Sequence, residues 1–537
     1  MRPIRGQWIP IALVGAAIAV LIGWPLVQMV TVAAEQVGQS DVARMLADPS
    51  VVNTLTVGLV SAALTTVLGV GAAILTEKTA LPGRRWLRVG IVAPILIPPF
   101  VSAMSWQRAY GPSGIVDDLT GWSIPGLMGP VGVIIVISVN AVPLAYLLTV
   151  AALRTRTELD LEVASRVSGS GPLATLQHIT LPLLSTAILG VTALVFVVGI
   201  NAFGVPALLG TPAAFDTITT RIYQDFALSA RPESFSRAIL LATELVALAL
   251  VFVAVGERLM GTPRPRRRTQ AGGVTPIPGR AGAGLAVTVW TVIVVGTVIP
   301  LMALILASIT KAVGLAPVPP NWTLAHFAEA LDSRFIGALG RSALLATVAA
   351  TTAVLLGAVV SSLRRNRGAR WLGVAVLGGF AIPGTALAAA VLLGYGRVLR
   401  DTLTIIMVAY VAKLWAVGHR SVDGSLANIS SDMTNAARVS GATPLTTLRT
   451  VIAPLLRPAI LAGWLLVFII AFHELTMSAI LYGPGTSTLA VVVLNIQQLG
   501  DQPLSSALAV ILTIPLLAIS LPFLAGSRLS GRELAGR

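Results

Sequence analysis

Apolar residues in this chain come in long unbroken runs rather than as the single stripe of a helix lying on a soluble core. A helix that crosses a bilayer needs about 20 mostly apolar residues. Runs of that length lie near 9–32, 50–75, 87–108, 128–152, 183–209 and 237–256 in the first half. The second half repeats them near 284–309, 338–363, 371–395, 402–418, 456–482 and 504–526. The pattern predicts about twelve spans. Two runs are irregular: 87–108 carries Pro94, Pro98 and Pro99, and 402–418 is short and contains Lys413. The first run exceeds the roughly 7–15-residue core of a secretory signal and no small-residue cleavage site follows it, so it is expected to stay as a span.

The polar positions between the runs give an orientation. Lys78, Arg84, Arg85 and Arg88 follow the second span, and Arg154, Arg156 and Arg166 follow the fourth. Arg264, Arg266, Arg267 and Arg268 separate the halves, and Arg364, Arg365, Arg367 and Arg370 follow the eighth span. The alternate loops are acidic or mixed, with Glu35, Asp41 and Asp48 in one and Asp117 and Asp118 in another. Basic loops face the cytoplasm. Both termini are therefore expected there, in a multi-pass protein of a bacterial cytoplasmic membrane.

Composition agrees. The chain is 55% apolar and 11% charged, where soluble proteins are about 45–50% apolar and about 25% charged. That excludes a soluble enzyme. The net charge of +15 is almost all arginine, with lysine only at 78, 311 and 413. Nucleic-acid binding would need basic and aromatic residues on one soluble face; cytoplasmic loops and lipid contact account for the charge instead. The absence of cysteine leaves no disulfide framework, thiolate metal site or cysteine nucleophile.

The chain is also written twice. Ala164–Leu176 (ASRVSGSGPLATL) recurs as Ala436–Leu448 (AARVSGATPLTTL), a shift of 272 residues, and Pro182 and Ala187 recur as Pro454 and Ala459. Both copies fall in the basic loop between the fourth and fifth spans of their half. Six spans per half make the repeats parallel, about an axis along the membrane normal. The expected domains are 1–260 and 284–537, with the Pro/Gly/Arg-rich stretch 261–283 as a cytoplasmic linker. Within the repeated loop, Leu159 to Val167 favours helix, Gly169 to Pro172 breaks it, and Leu173 to Ile179 resumes it; Gly441 and Pro444 do the same in the second copy. Two symmetry-related helical loops on one membrane side fit a two-fold-symmetric cytoplasmic partner.

The pattern Glu162, Ala164, Gly169, Ile179, Leu181 and Pro182 resembles the cytoplasmic signature of the membrane subunits of binding-protein-dependent ABC importers. The second copy keeps Ala436, Ala437, Gly441 and Pro454 but has Thr434 and Asn435 in place of the acidic pair. The resemblance implies an all-α integral membrane protein of the type I ABC importer permease fold, a coupling helix in each loop, a cytoplasmic ABC ATPase dimer and an extracytoplasmic solute-binding protein. A fused duplicate is the layout of ferric-iron and thiamine permeases. The strings PPFVSAMSW at 98–106, YGPSG at 110–114, FGVPALLG at 203–210, TTRIY at 219–223 and ELTMSAIL at 474–481 look like the ferric type. Ferric iron is then the expected cargo, with thiamine, polyamine and phosphonate permeases as neighbouring branches.

No energy source is encoded here. A phosphate-cradling loop needs Lys after Gly, whereas the three lysines follow Glu77, Thr310 and Ala412. The expectation is a transport subunit that is not an enzyme and has no cofactor, no metal site and no catalytic residue. Ionisable groups at bilayer depth default to functional candidates. Glu474 and His473, with Asn201 at the equivalent position of the first half, are the candidate pathway residues. Interhelical packing is the competing reading for them, and the more natural one for Glu244 and Lys413. A lone Glu without an Asp or Tyr cluster makes no ferric cage, so selection is expected to fall to the binding protein. An ion-coupled secondary transporter also uses repeats and buried acids, but it has no ATPase to dock on two helical loops. A membrane-embedded enzyme would need a polar catalytic cluster, and none is visible.

Overall fold

The computed structural model describes residues 8–36, 48–156, 159–260, 279–363, 371–427 and 429–526. The arginine runs at 264–268 and 364–370, Asp41 and most of the 261–283 linker lie outside them. The chain is an all-helical membrane protein. Among the described residues nine helices are long and apolar enough to cross a bilayer, or ten if one bent pair counts as a span.

Proline accounts for most of the difference from an unbroken pattern of twelve. The third run splits into Arg84–Leu96 and Pro99–Thr120, bent by 107°, because Pro98 holds an extended backbone (ψ 136°) and caps the helix that begins at Pro99. The ninth run divides at Pro383 (ψ 142°) into Trp371–Ala381 and Gly384–Leu399. The fifth and eleventh runs stop earlier than their apolar stretches, at Ile200 and Phe472. Elsewhere local signals set the boundaries: the Asp48 carboxylate accepts from Ser50 N at 2.8 Å and Pro49 opens the helix Pro49–Lys78.

Contacts gather the described residues into two compact units that interleave the sequence halves. One takes its helices from Ala43–Arg221, Val251–Ala330 and Ile496–Arg537; the other from Met1–Val42, Ile222–Leu250 and Leu331–Asn495. Each unit thus contains the second to fifth spans of one half and the first and sixth of the other. The exchanged first spans share one device, a wide π-type turn at Ala19–Gly23 and at Val294–Val298. Such a turn frees carbonyls from the helical ladder. In the first of these units, Tyr110 Oη donates to Val295 O at 2.7 Å and Trp106 Nε1 to Gly296 O at 3.1 Å. In the other, Tyr395 Oη donates to Val20 O, and Trp24 Nε1 to Gly394 O at 3.4 Å.

Inside each unit helices meet through small residues, since lipid supplies no hydrophobic drive and close backbone approach does the work. A β-carbon on Gly69 would lie 2.5 Å from the Ala145 β-carbon; one on Gly357 would lie 2.3 Å from His419 N. Hydroxyl pairs tie the same interfaces, as in Thr66–Thr192 (3.1 Å) and Thr76–Tyr146 (3.1 Å). His419, a scattered histidine in the sequence, is buried and bonded to Ser361 at 2.8 Å, so its role is packing.

Candidate coupling loops and membrane polar site

The repeated loop folds alike in both copies. Leu159–Val167 and Ser431–Val439 are short helices, followed by Pro172–Thr175 and Pro444–Thr447. Wide turns at Leu176–Thr180 and Leu448–Ile452 then run into the spans Leu181–Ile200 and Ala453–Phe472. Every boundary is displaced by the sequence shift. Each coupling helix ends on a glycine with positive φ, +86° at Gly169 and +79° at Gly441. The backbone closes as a Schellman turn, with Ser170 N donating to Ser165 O and Ala442 N to Ala437 O, both at 3.0 Å. Pro172 and Pro444 open the next helical turn, where the missing N–H costs nothing.

Glu162 is where the copies part. Its carboxylate is buried and faces inward, accepting from Lys78 Nζ at 2.8 and 2.9 Å and from Thr180 Oγ1 at 2.8 Å. One carboxylate thus ties the coupling helix to the end of Pro49–Lys78 and to the start of the following span. The sequence assigned Lys78 only to orientation; it is the partner that pins the loop, and it places the loops after the second and fourth spans on one side. The second copy has Thr434 and Ile452 in place of Glu162 and Thr180, so it lacks this carboxylate.

The outward faces, by contrast, match. Val167 is 83% exposed and Val439 90%, each two residues before its glycine, and Leu161 and Met433 stand exposed at the other end of each helix. Ala164 and Ala436 are exposed on the same helices, with Ala437 half-buried; Pro182 and Pro454 are exposed, while Ile179 and Leu181 are half-buried. Sequence reasoning passed over Val167 and Val439, although both stand in the Arg-Val-Ser-Gly core that the repeats share.

Glu474 and His473 lie where the span Ala453–Phe472 ends. His473 caps it, donating its backbone N–H to Ile469 O at 3.2 Å. The Glu474 carboxylate turns back and accepts from Thr476 N at 3.1 Å and Met477 N at 2.7 Å, starting the helix Thr476–Leu481. Tertiary folding adds two partners. Lys413 feels the Glu474 charge and donates to Ile382 O; Tyr410 Oη reaches Glu474 O at 3.2 Å and Ser478 Oγ at 2.7 Å. Tyr410 lies 64 residues away in sequence, beyond the reach of local pattern. Lys413, read alone in the sequence, belongs to the same group. Asn201 caps Leu181–Ile200 as His473 caps its counterpart, and its Oδ1 is enclosed with no hydrogen-bond partner among the described residues. It lies in the other compact unit.

Comparison with known proteins bears on these features. Residues 65–269 and 353–534 match the family described as binding-protein-dependent transport system inner membrane component. A probable ABC transporter permease of Sinorhizobium fredii is 24% identical over 87% of this chain and 85% of its own length. A ferric transport system permease of Actinobacillus pleuropneumoniae is 24% identical over 92% of this chain and 73% of its own. A putative 2-aminoethylphosphonate transport system permease of Salmonella typhimurium is 28% identical over 44% of this chain and 89% of its own. The family is matched twice, once in each half, over most of the chain. This protein therefore belongs to the inner membrane components of binding-protein-dependent transport systems, as a fused, duplicated ABC permease.

Proposed function

We propose that this chain forms the translocation pathway of an ATP-driven importer of the bacterial cytoplasmic membrane, with 1–260 and 284–537 as its two functional repeats and both termini cytoplasmic. A separate cytoplasmic ABC ATPase dimer docks on the two coupling loops, and an extracytoplasmic binding protein delivers the cargo. Ferric iron is the proposed cargo, supported by the ferric-type strings and by the ferric permease relative that spans most of the chain. The observation that carries the reading is the pair of matching, outward apolar helices at Leu159–Val167 and Ser431–Val439. Exposed apolar patches of this kind on a polar membrane face mark interaction sites.

The test is reconstitution with a candidate ABC ATPase and a candidate solute-binding protein. Alone, the chain should hydrolyse no ATP; with both partners, hydrolysis should rise when the binding protein is loaded. Val167→Asp and Val439→Asp should each reduce ATPase recovery severalfold, since a charge would be buried in an apolar contact. Normal recovery with the double variant would remove the docking assignment.

Glu474 is proposed to line the pathway rather than only to cap a helix. Glu474→Gln keeps an acceptor for the Met477 N–H and removes the charge that Lys413 senses. Cargo uptake should fall at least tenfold while assembly and ATP hydrolysis persist. A variant that is stable and transports normally would reduce Glu474 to a cap.

A further inference from the structure

Among the described residues of the unit that carries the first coupling loop, Arg108 is a buried cation with no carboxylate bonded to it. Lys78 is neutralised by Glu162 and Arg88 by Glu77, with contacts of 2.8 and 2.6 Å. Arg108, 6% exposed, has neutral partners instead. Its Nη1 donates to Gln502 Oε1 at 2.6 Å, its Nη2 to Gln497 Oε1 at 2.7 Å and its Nε to Ser506 Oγ at 3.2 Å. The acceptors are themselves held. Gln497 donates through Nε2 to Gln107 at 3.2 Å and accepts from Ser505 Oγ at 2.9 Å, which fixes which end of its amide faces Arg108.

This arrangement orients a guanidinium without cancelling its charge. A guanidinium has five N–H donors; three are engaged, and one remains on each Nη. Leaving a buried charge without a counter-ion is costly, and a residue used only for packing would gain more from a carboxylate at Gln497 or Gln502. The fork geometry of Arg suits a bidentate oxyanion. Arg108 also lines a pocket together with Gln502, Ser113, Thr310, Ile115 and Leu315. The exposed Asp118 carboxylate is on the same wall, and Asp501 is engaged in capping its own helix at Leu504 N (3.1 Å).

The pocket's place in the fold agrees with a role in entry. Pro130–Arg156 leads into the first coupling loop at its C-terminal end, and the pocket is built from the segments around 113–118, 310–317 and 502–503 at the opposite end of the same unit. On the importer reading, that end faces the binding protein.

We propose that this pocket is an oxyanion subsite: Arg108, held by Gln497, Gln502 and Ser506, receives a phosphonate, phosphate or carboxylate group of the arriving cargo. The orientation toward the binding protein rests on the importer reading, but binding itself does not. A bare ferric ion would be repelled by this guanidinium. Iron would therefore pass it as a complex with an anionic oxygen ligand, whereas a phosphonate would present its own charge.

The experiment uses the full chain with its ATPase in nanodiscs of zwitterionic lipid, and equilibrium binding of inorganic phosphate, methylphosphonate and citrate, the last with and without ferric iron. Saturable binding of at least one probe is expected, weakened at least tenfold by Arg108→Gln. Gln502→Glu is the second variant. It retains Arg108 and supplies the missing carboxylate, so it should weaken binding to a similar degree in a well-folded protein. A preference for methylphosphonate would identify a phosphonate cargo, and a preference for ferric citrate an iron complex; either supports the subsite. No saturable binding to the wild type, or undiminished binding to Gln502→Glu, overturns it. Failure of the chain to retain its ATPase, with oxyanion binding intact, would overturn the importer reading and leave the subsite standing.

Discussion

Glu162→Ala is expected to lower recovery of the ATPase on the purified permease by about tenfold or more, although Glu162 itself points away from any partner. The carboxylate joins the coupling helix to Lys78 and Thr180. Removing one member of an enclosed ion pair costs about 3–5 kcal/mol, because the other charge is left stranded. The Lys78 side chain is 19% exposed, and solvent reduces the expected loss to about 1–3 kcal/mol. That energy is lost from the docked geometry of the loop. If only a fraction of the loops remains competent, apparent affinity falls by that fraction, and about 1.4 kcal/mol corresponds to tenfold. Glu162→Gln, which still accepts from Thr180, should lie between alanine and the wild type. Exchanging the charges in Lys78→Glu with Glu162→Lys should restore part of the loss. Faster amide exchange across Leu159–Val167 should accompany the defect. Full ATPase recovery by Glu162→Ala would show that the clamp is dispensable.

Gly169→Val is expected to be nearly as damaging, and Gly441→Val less so. Nothing lies within 4 Å of a β-carbon placed on either glycine, so crowding is not the cause. The cause is the backbone: φ is +86° and +79°, where an L-residue is disfavoured by roughly 1–2 kcal/mol, and by more when β-branched. The loop relieves that strain by abandoning the Schellman turn, which also turns Val167 or Val439 off the docking face. The first loop is fixed at Glu162 and cannot shift as a body. The second carries Thr434 in place of that carboxylate and is expected to move and absorb the change. Recovery of the ATPase at matched expression should therefore be lower for Gly169→Val. Gly169→Asn should recover much of the loss, since asparagine tolerates positive φ. Equal, normal recovery with both valine variants would sink the assignment of these loops as docking elements.

The two predictions mark how far the sequence reaches. Spans, the duplication and the helical loops were legible because each is written in contiguous residues: apolar runs, a repeat shifted by 272 positions, and glycine and proline at fixed offsets. The break at Gly169 needed no tertiary information, because a short helix that ends on glycine and restarts on proline has few backbone solutions. Even the split of the third run was foreshadowed by Pro98 and Pro99. The chemical difference between the two loops was also visible, with Thr434 standing where the first copy has Glu162.

The partners were not visible. Lys78 looked like one more cytoplasmic charge, and only folding brings it to Glu162, 84 residues away. Tyr410 and Lys413 share the helix Leu403–Ala427, and Glu474, 64 residues beyond Tyr410, joins them only when the helices pack. Arg108 meets Gln497, Gln502 and Ser506 across about 390 residues of chain. The exchanged first spans are tied by carbonyls that a wide turn frees and to which a distant tyrosine donates, a matter of where two helices touch. Apolar length and local turn chemistry act along the chain and can be read from it. Which polar groups neutralise one another is decided by the low-dielectric interior, where each buried charge or carbonyl takes whatever partner the packed helices bring within about 3 Å.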